Sequence, residues 1–104
     1  MFKTQILERD GRCLACGVYL DERTVNPHHI TTVGAGGDDS PENGIALCQM
    51  CHVAVHNGHI TPATLRWILK LTYGYEYELL CGDEDRHHAQ ELRAAYTVKT
   101  GGIW

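Results

Sequence analysis

The chain has 104 residues, of which 43% are hydrophobic and 21% charged, and its net charge is −4 at pH 7. This length and composition predict one globular domain, 1–104, and exclude a disordered or fibrous chain. This net charge argues against a nonspecific coat on nucleic acid, although most of the acidic excess follows residue 72. We expect no secretory signal and no membrane span, because apolar and charged residues alternate from the start and long apolar runs are missing.

The N-terminal part begins with apolar residues at helical spacing, which predict a short helix through Glu8. Asp10-Gly11 marks the turn that ends it. Cys13-Leu-Ala-Cys16 follows, with the spacing of a metal knuckle.

The middle of the chain predicts two strands around a loop. β-branched residues favour extended chain over 24–32, which Pro27 confines to a sheet edge or an irregular strand. The glycine-rich segment 34–41 has turn chemistry and predicts a flexible loop. Residues 45–47 then form a brief second strand that leads into Cys48.

Three further elements are predicted in the second half. The segment 52–56 fits two helical turns closed by Asn57-Gly58, and Thr61 followed by Pro62 caps a longer helix that ends at Gly74. Residues 75–79 alternate tyrosine or leucine with glutamate and predict a half-buried strand. A last helix over 83–98 starts with three acidic residues, which suit its dipole, and a loose Gly101-Gly102 tail follows.

The cysteines form two pairs of the type Cys-x2-Cys, namely Cys13 with Cys16 and Cys48 with Cys51. Four thiolates are the ligand set of a structural Zn²⁺, and this is our interpretation of the pairs. Redox dithiols and buried free cysteines are the alternatives. The fifth cysteine, Cys81, has no partner in this pattern.

Seven histidines accompany the cysteines. His28 and His29 are adjacent, so their side chains point in opposite directions along an extended chain and they have different roles. His52 and His56 are four residues apart, which places both rings on one face of a helix, as a metal requires of two imidazoles. These four therefore predict a second metal site, whereas the remaining three are expected on the solvated surface: His59, His87 and His88.

From Cys13 to Gly58 the sequence resembles the HNH, or ββα-metal, endonuclease family. The resemblance rests on CLAC, PHHI, GAGG, ENGIALC and CQMCHVAVHNG, which occur in the order of the family. The His-x3-His ending is similar to colicin nucleases, and the two cysteine pairs are similar to phage and restriction-type members. The resemblance implies a small zinc-stapled α+β domain with an HNH core over 13–58, flanked by helices that include a C-terminal extension over 61–98.

Carried over position by position, the resemblance implies a role for each polar residue. His29 would be the general base that deprotonates the attacking water, and Asn43 would either hold the loop that orients His29 or lie near the metal. Three histidines would bind one catalytic divalent cation: His28, His52 and His56. His28 stands where many members have an aspartate, which leaves the choice among Ni²⁺, Co²⁺, Mn²⁺, Zn²⁺ and Mg²⁺ open.

The function implied is metal-dependent hydrolysis of DNA phosphodiester bonds in the cytoplasm of a bacterium or a phage-infected cell. An imidazole with a pKa of about 6.5 can activate water at neutral pH. A cation can stabilise the phosphate and the leaving oxygen. The alternative is a zinc module that binds DNA or protein without cutting, in a phage packaging or regulatory assembly. DNA contacts are assigned to the bases outside the acidic end: Arg9, Arg12, Arg66 and Lys70.

The proposed ligand set predicts the metal preference. Three imidazoles suit Ni²⁺, Co²⁺ and, less strongly, Mn²⁺, whereas Mg²⁺ prefers oxygen ligands. Plasmid cleavage by metal-free protein supplied with each ion at equal concentration should therefore be faster with Ni²⁺, Co²⁺ or Mn²⁺ than with Mg²⁺, and Zn²⁺ should inhibit if it binds too tightly. Faster cleavage with Mg²⁺ would contradict the all-histidine ligand set.

Overall fold

A computed structural model describes residues 2–77 and 82–100, with side chains as far as residue 96. Its regular elements are α1 (Phe2–Asp10), β1 (Asn26–His29), β2 (Gly44–Leu47), α2 (Gln49–His56), α3 (Pro62–Tyr73) and α4 (Asp83–Thr100), with short 3-10 turns at Val33–Ala35 and Pro41–Asn43. The predicted α+β fold class is confirmed. None of the helices in this part of the chain is both long and apolar enough to cross a membrane.

The two strands form an antiparallel hairpin in which His28 lies opposite Ile45 and His29 lies opposite Gly44. Directly opposed residues project from the same face of a sheet, and neighbours along a strand project from opposite faces. The hairpin therefore presents His28 with Ile45 on one face, and His29 with Gly44 on the other.

Both faces of β2 are covered, and all four of its residues are buried. Ile45 and Leu47 pack in the main core with the apolar face of α3, which contributes Leu65, Ile68 and Leu69. Ala46 projects to the other face and packs with Ile6 of α1. The period-2 alternation of β2 thus divides the interior into an α3 side and an α1 side.

A buried carboxylate fixes the C-terminal end of α1. The side chain of Asp10 is 0% exposed and its oxygens accept hydrogen bonds from Arg9, the backbone N–H of Ala46 and the hydroxyl of Tyr73. Arg9 also donates to the Gly44 carbonyl at 2.7 Å. This network joins three elements, because Asp10 belongs to α1, the Ala46 N–H to β2 and the Tyr73 hydroxyl to α3.

The helices and strands occur where the sequence predicts them, with shifted ends. α1 continues to Asp10, and the extended segment over 24–32 is regular only at Asn26–His29. Thr61 caps α3 by accepting from the Thr64 N–H, and α3 ends at Gly74, where φ is 78°.

The strand predicted over 75–79 is wrong for the residues that the structure describes, since 74–77 have no regular structure. The alternation of burial exists, because Tyr75 and Tyr77 are partly buried and Glu76 is exposed. However, Tyr77 donates its hydroxyl to the Glu42 carbonyl instead of extending a ladder. The remainder of that segment and the Gly101-Gly102 tail lie outside the described residues.

The Asp10 network predicts a large loss of stability on truncation. Asp10→Ala leaves the buried guanidinium of Arg9 without its carboxylate and the Ala46 N–H without an acceptor, so we expect a loss of about 3 kcal/mol. Urea unfolding of the metal-loaded protein measures this change. The matched control is Glu8→Ala, which alters an exposed carboxylate of the same helix and should cost no more than about 0.5 kcal/mol. Equal unfolding midpoints for the two variants would show that the network is not stabilising.

Candidate functional site

Three imidazole rings meet where the C-terminal end of β1 lies beside α2. The ring centroid of His28 is 5.5 Å from that of His52 and 6.1 Å from that of His56. His52 and His56 are one helical turn apart, and their Nε2 atoms are separated by 3.3 Å. Two nitrogens that each lie about 2.1 Å from one tetrahedral ion are about 3.4 Å apart. The α2 pair therefore already has the separation of two ligands of one ion.

The surroundings of this histidine cluster favour its neutral form. Burial lowers the pKa of His28 to about 4, and the charges of His52 and His56 add to the shift. Burial and the neighbouring His56 also lower the pKa of His52. Because a metal binds the unprotonated ring nitrogen, both side chains are in the ligand form at neutral pH. The donor chemistry thus fits a divalent transition ion.

His29 lies on the opposite face of β1, beneath α1. Its ring is stacked on that of Phe2, with centroids 4.0 Å apart and an interplanar angle of 7°. Its Nε2 is 2.7 Å from Oδ1 of Asp39. An ionised carboxylate only accepts hydrogen bonds, so Nε2 is the donor, and in the neutral form of the ring the lone pair is on Nδ1.

Asn43 closes the loop that carries Asp39. Its Oδ1 accepts from the Thr31 N–H at 2.7 Å, and its Nδ2 donates to the carbonyls of Thr31 and Asp38, both at 2.9 Å. The closure requires glycine at position 37, because a Cβ there would lie 1.8 Å from the Thr31 oxygen. These bonds hold the loop closed, and a role for Asn43 in catalysis stays a prediction.

Arg66 is the predicted DNA-binding residue that borders this loop. A cavity of about 260 Å³ lies between Asn43, Arg66 and Tyr77. Arg66 crosses from α3 and donates to the Thr31 hydroxyl at 3.2 Å. Its guanidinium is therefore placed beside the Asn43 contacts.

The other three predicted DNA-binding residues have partners within the fold. Arg9 belongs to the Asp10 network. The Arg12 guanidinium lies 3.6 Å from the ring centroid of Tyr19, and Lys70 pairs with Glu76 at 3.2 Å. Contact of these residues with DNA stays a prediction.

The predicted surface histidines are not part of the histidine cluster. His59 and His87 are exposed, and His88 is partly buried on α4.

The four sulfurs of the two cysteine pairs converge at the N-terminal end of α2, as metal ligands would. All of the sulfur atoms of Cys13, Cys16, Cys48 and Cys51 lie within 4.8 Å of one another. The Cys16 and Cys48 sulfurs are 3.6 Å apart, too far for a disulfide, and the four cysteines are free. Separate redox dithiols would not require the two pairs to meet at one point.

The electrostatics of this cysteine cluster disfavour several thiolates at once unless a cation is bound. A hydrogen bond from the Cys51 thiol, together with backbone N–H groups, lowers the pKa of Cys13 to about 5. Burial raises the pKa of Cys16 to about 11, and the charge on Cys13 adds to the rise. The same hydrogen bond and burial raise the pKa of Cys51. Further thiolates therefore form only if a cation compensates their charge, and four thiolates are the donor set that Zn²⁺ takes.

The contacts of His29 have no signal in the sequence. The loop conformation brings Asp39 to His29, and no periodic signal links residues ten positions apart in a glycine-rich segment. The apolar spacing predicts that Phe2 packs against the rest of the fold. That it contacts the His29 ring depends on how α1 packs on the hairpin.

Comparison with known proteins agrees with the family resemblance. Residues 13–58 match the family model described as HNH endonuclease. A stretch of 63 residues is 35% identical to the type IV methyl-directed restriction enzyme EcoKMcrA of Escherichia coli (strain K12). The match covers 54% of this chain and only 23% of that relative. No solved structure matches the chain.

The cysteine cluster predicts that metal and fold are lost together. In Cys48→Ser one of four ligands is missing, and because metal binding contributes directly to folding we expect both weak metal retention and loss of helical circular dichroism. Metal analysis after dialysis and far-UV spectra test this. His56→Ala is the control, since it keeps all four sulfurs and should keep the spectrum. A Cys48→Ser protein with the spectrum of the wild type would exclude a structural metal here.

Proposed function

We propose that the chain is a metal-dependent nuclease that hydrolyses DNA phosphodiester bonds, and that residues 13–58, which match the HNH endonuclease model, are its catalytic part. One observation carries the proposal: the histidine cluster and the His29–Asp39 pair occupy the same end of the β1–β2 hairpin. We expect a phosphate that lies across this end to contact both of them.

His29 would act as the general base. Asp39 accepts the hydrogen of Nε2 and so selects the tautomer in which Nδ1 is free to take a proton from water. The His29 side chain is 25% exposed, which allows water to reach it. A positioned base of this kind contributes about 10²- to 10⁴-fold to a rate.

His28, His52 and His56 would hold one divalent cation, which supplies charge stabilisation for the scissile phosphate and for the leaving oxygen. Their own contribution is to converge from two elements, a strand and a helix, and burial lowers the pKa of His28 and of His52, which favours the unprotonated form that binds a metal. Asn43 would keep the loop closed, so that Asp39 stays within reach of His29.

The cysteine cluster would hold a structural Zn²⁺ and take no part in the chemistry. Its four ligands come from two short segments and are filled by protein sulfurs, which is typical of closed structural sites.

DNA is the proposed substrate. The relative in Escherichia coli is named as a restriction enzyme, and Arg66, which donates to the Thr31 hydroxyl, is expected to contact a phosphate. Arg9, Arg12 and Lys70 are expected to contribute phosphate contacts only if they exchange their present partners.

The alternative, a zinc module that binds DNA without cutting, shares the cysteine cluster and differs at His29. Incubation of purified protein with supercoiled plasmid, with and without EDTA, separates the two functions. EDTA-sensitive nicking or linearisation supports the nuclease, and intact plasmid with every divalent ion supports the binding module.

The two kinds of histidine should respond differently to truncation. His29→Ala should reduce cleavage by at least about 100-fold and leave the affinity for the catalytic ion unchanged, because His29 is not a ligand. His56→Ala should weaken both. Plasmid kinetics and titration calorimetry with Co²⁺ measure the two quantities.

His59→Ala is the matched control, since His59 is an exposed histidine just beyond α2. It should keep both activity and affinity. If His29→Ala loses the ion as severely as His56→Ala does, the assignment of base and ligand is wrong.

A further inference from the structure

Phe2 covers one face of the His29 ring, although it lies outside the segment that matches the HNH family. We propose that Phe2 is a positioning residue that fixes the plane of the His29 ring for catalysis. The inference rests on the proposed nuclease function and extends it to a helix that the family match does not include.

The hydrogen bond to Asp39 cannot set the orientation of the ring alone. Asp39 is 72% exposed and belongs to a loop, so its carboxylate specifies which nitrogen of His29 carries the hydrogen, but this single hydrogen bond does not fix the rotation of the ring about its Cβ–Cγ bond. The nearly parallel contact with Phe2, at 4.0 Å and 7°, removes this freedom because rotation would drive the imidazole into the phenyl ring. The two contacts together define both the tautomer and the plane.

Gly44 provides the space for this stack. It is the residue directly opposite His29 in the hairpin, so its missing side chain would lie on the same face as the His29 ring. A Cβ at this position would be 2.6 Å from Phe2 Cε1 and 2.6 Å from Ile6 Cδ1. Phe2 therefore occupies the volume that a cross-strand neighbour of His29 would normally fill.

α1 is fixed well enough to hold Phe2 in this position. Ile6 is 2% exposed and packs between the helix and the hairpin, and Asp10 anchors the far end of the helix. The backbone hydrogen bonds of a helix make it stiff. A helix that is fixed at two points therefore also holds the residues of its first turn, here Phe2, in place.

The test compares three variants of the full chain with its metals bound. Phe2→Leu keeps apolar bulk without a flat ring, Phe2→Tyr keeps the ring, and Leu7→Ala removes a different apolar contact of α1 that also belongs to the α1 side of the core. Plasmid-nicking kinetics give kcat and KM, thermal unfolding reports folding, and ¹H–¹³C spectra of histidine-labelled protein report the ring current of Phe2 on the His29 ring protons.

We expect Phe2→Leu to remove the upfield ring-current shift of His29 and to lower kcat by on the order of 10-fold with KM unchanged, since a misplaced catalytic group loses rate and not substrate binding. Phe2→Tyr should restore both. Leu7→Ala should keep the shift and the wild-type kcat, even if its unfolding temperature falls.

Two results would overturn the inference while the nuclease assignment stands: wild-type kcat in Phe2→Leu, or an equal loss of kcat in Leu7→Ala. Absence of the ring-current shift in the wild type would also overturn it, without any measurement of activity. If the wild-type protein does not cleave DNA with any divalent ion, the proposed function is contradicted, and the role of Phe2 with it.

Discussion

The convergence of four sulfurs is the constraint on which the rest of the site depends. It joins the knuckle at Cys13 and Cys16 to the junction between β2 and α2. Cys51 lies in the first turn of α2, and His52 and His56 lie on the same short helix. The cluster that holds the start of α2 therefore also sets the direction in which the histidines point. In a chain of 104 residues, whose core is small, such a link replaces packing that a larger protein would use.

The hairpin separates the two chemical tasks of the proposed centre. His28 projects toward α2, where metal ligands gather, and His29 projects toward α1, where aromatic and carboxylate contacts gather. Thus α2 contacts His28, and α1 contacts His29. Since β2 is buried on both faces, neither helix can shift without disturbing the apolar contacts of that strand.

The parts of the structure that are local in sequence could be predicted. Cysteine pairs, histidines at helical spacing and the Thr61 cap depend on residues at most four positions apart. Contacts between distant segments could not be predicted, because they follow from how helices pack: the partners of His29 and the burial of Asp10 are examples. The error over 75–77 has the same origin, since the burial of Tyr77 there goes with its hydrogen bond to the Glu42 carbonyl and not with strand pairing.

His28 and His29 are adjacent but have different surroundings, so the register of the strands decides which ring lies in which environment. A slip of one residue would turn His28 toward α1 and His29 toward α2, so a folded domain with an intact knuckle would have its two rings exchanged. The pairing of His29 with Gly44 resists such a slip, because the next register would place a side chain where α1 leaves no room. An insertion or deletion within either strand would therefore exchange the surroundings of the two rings, whereas a substitution that keeps the register would not.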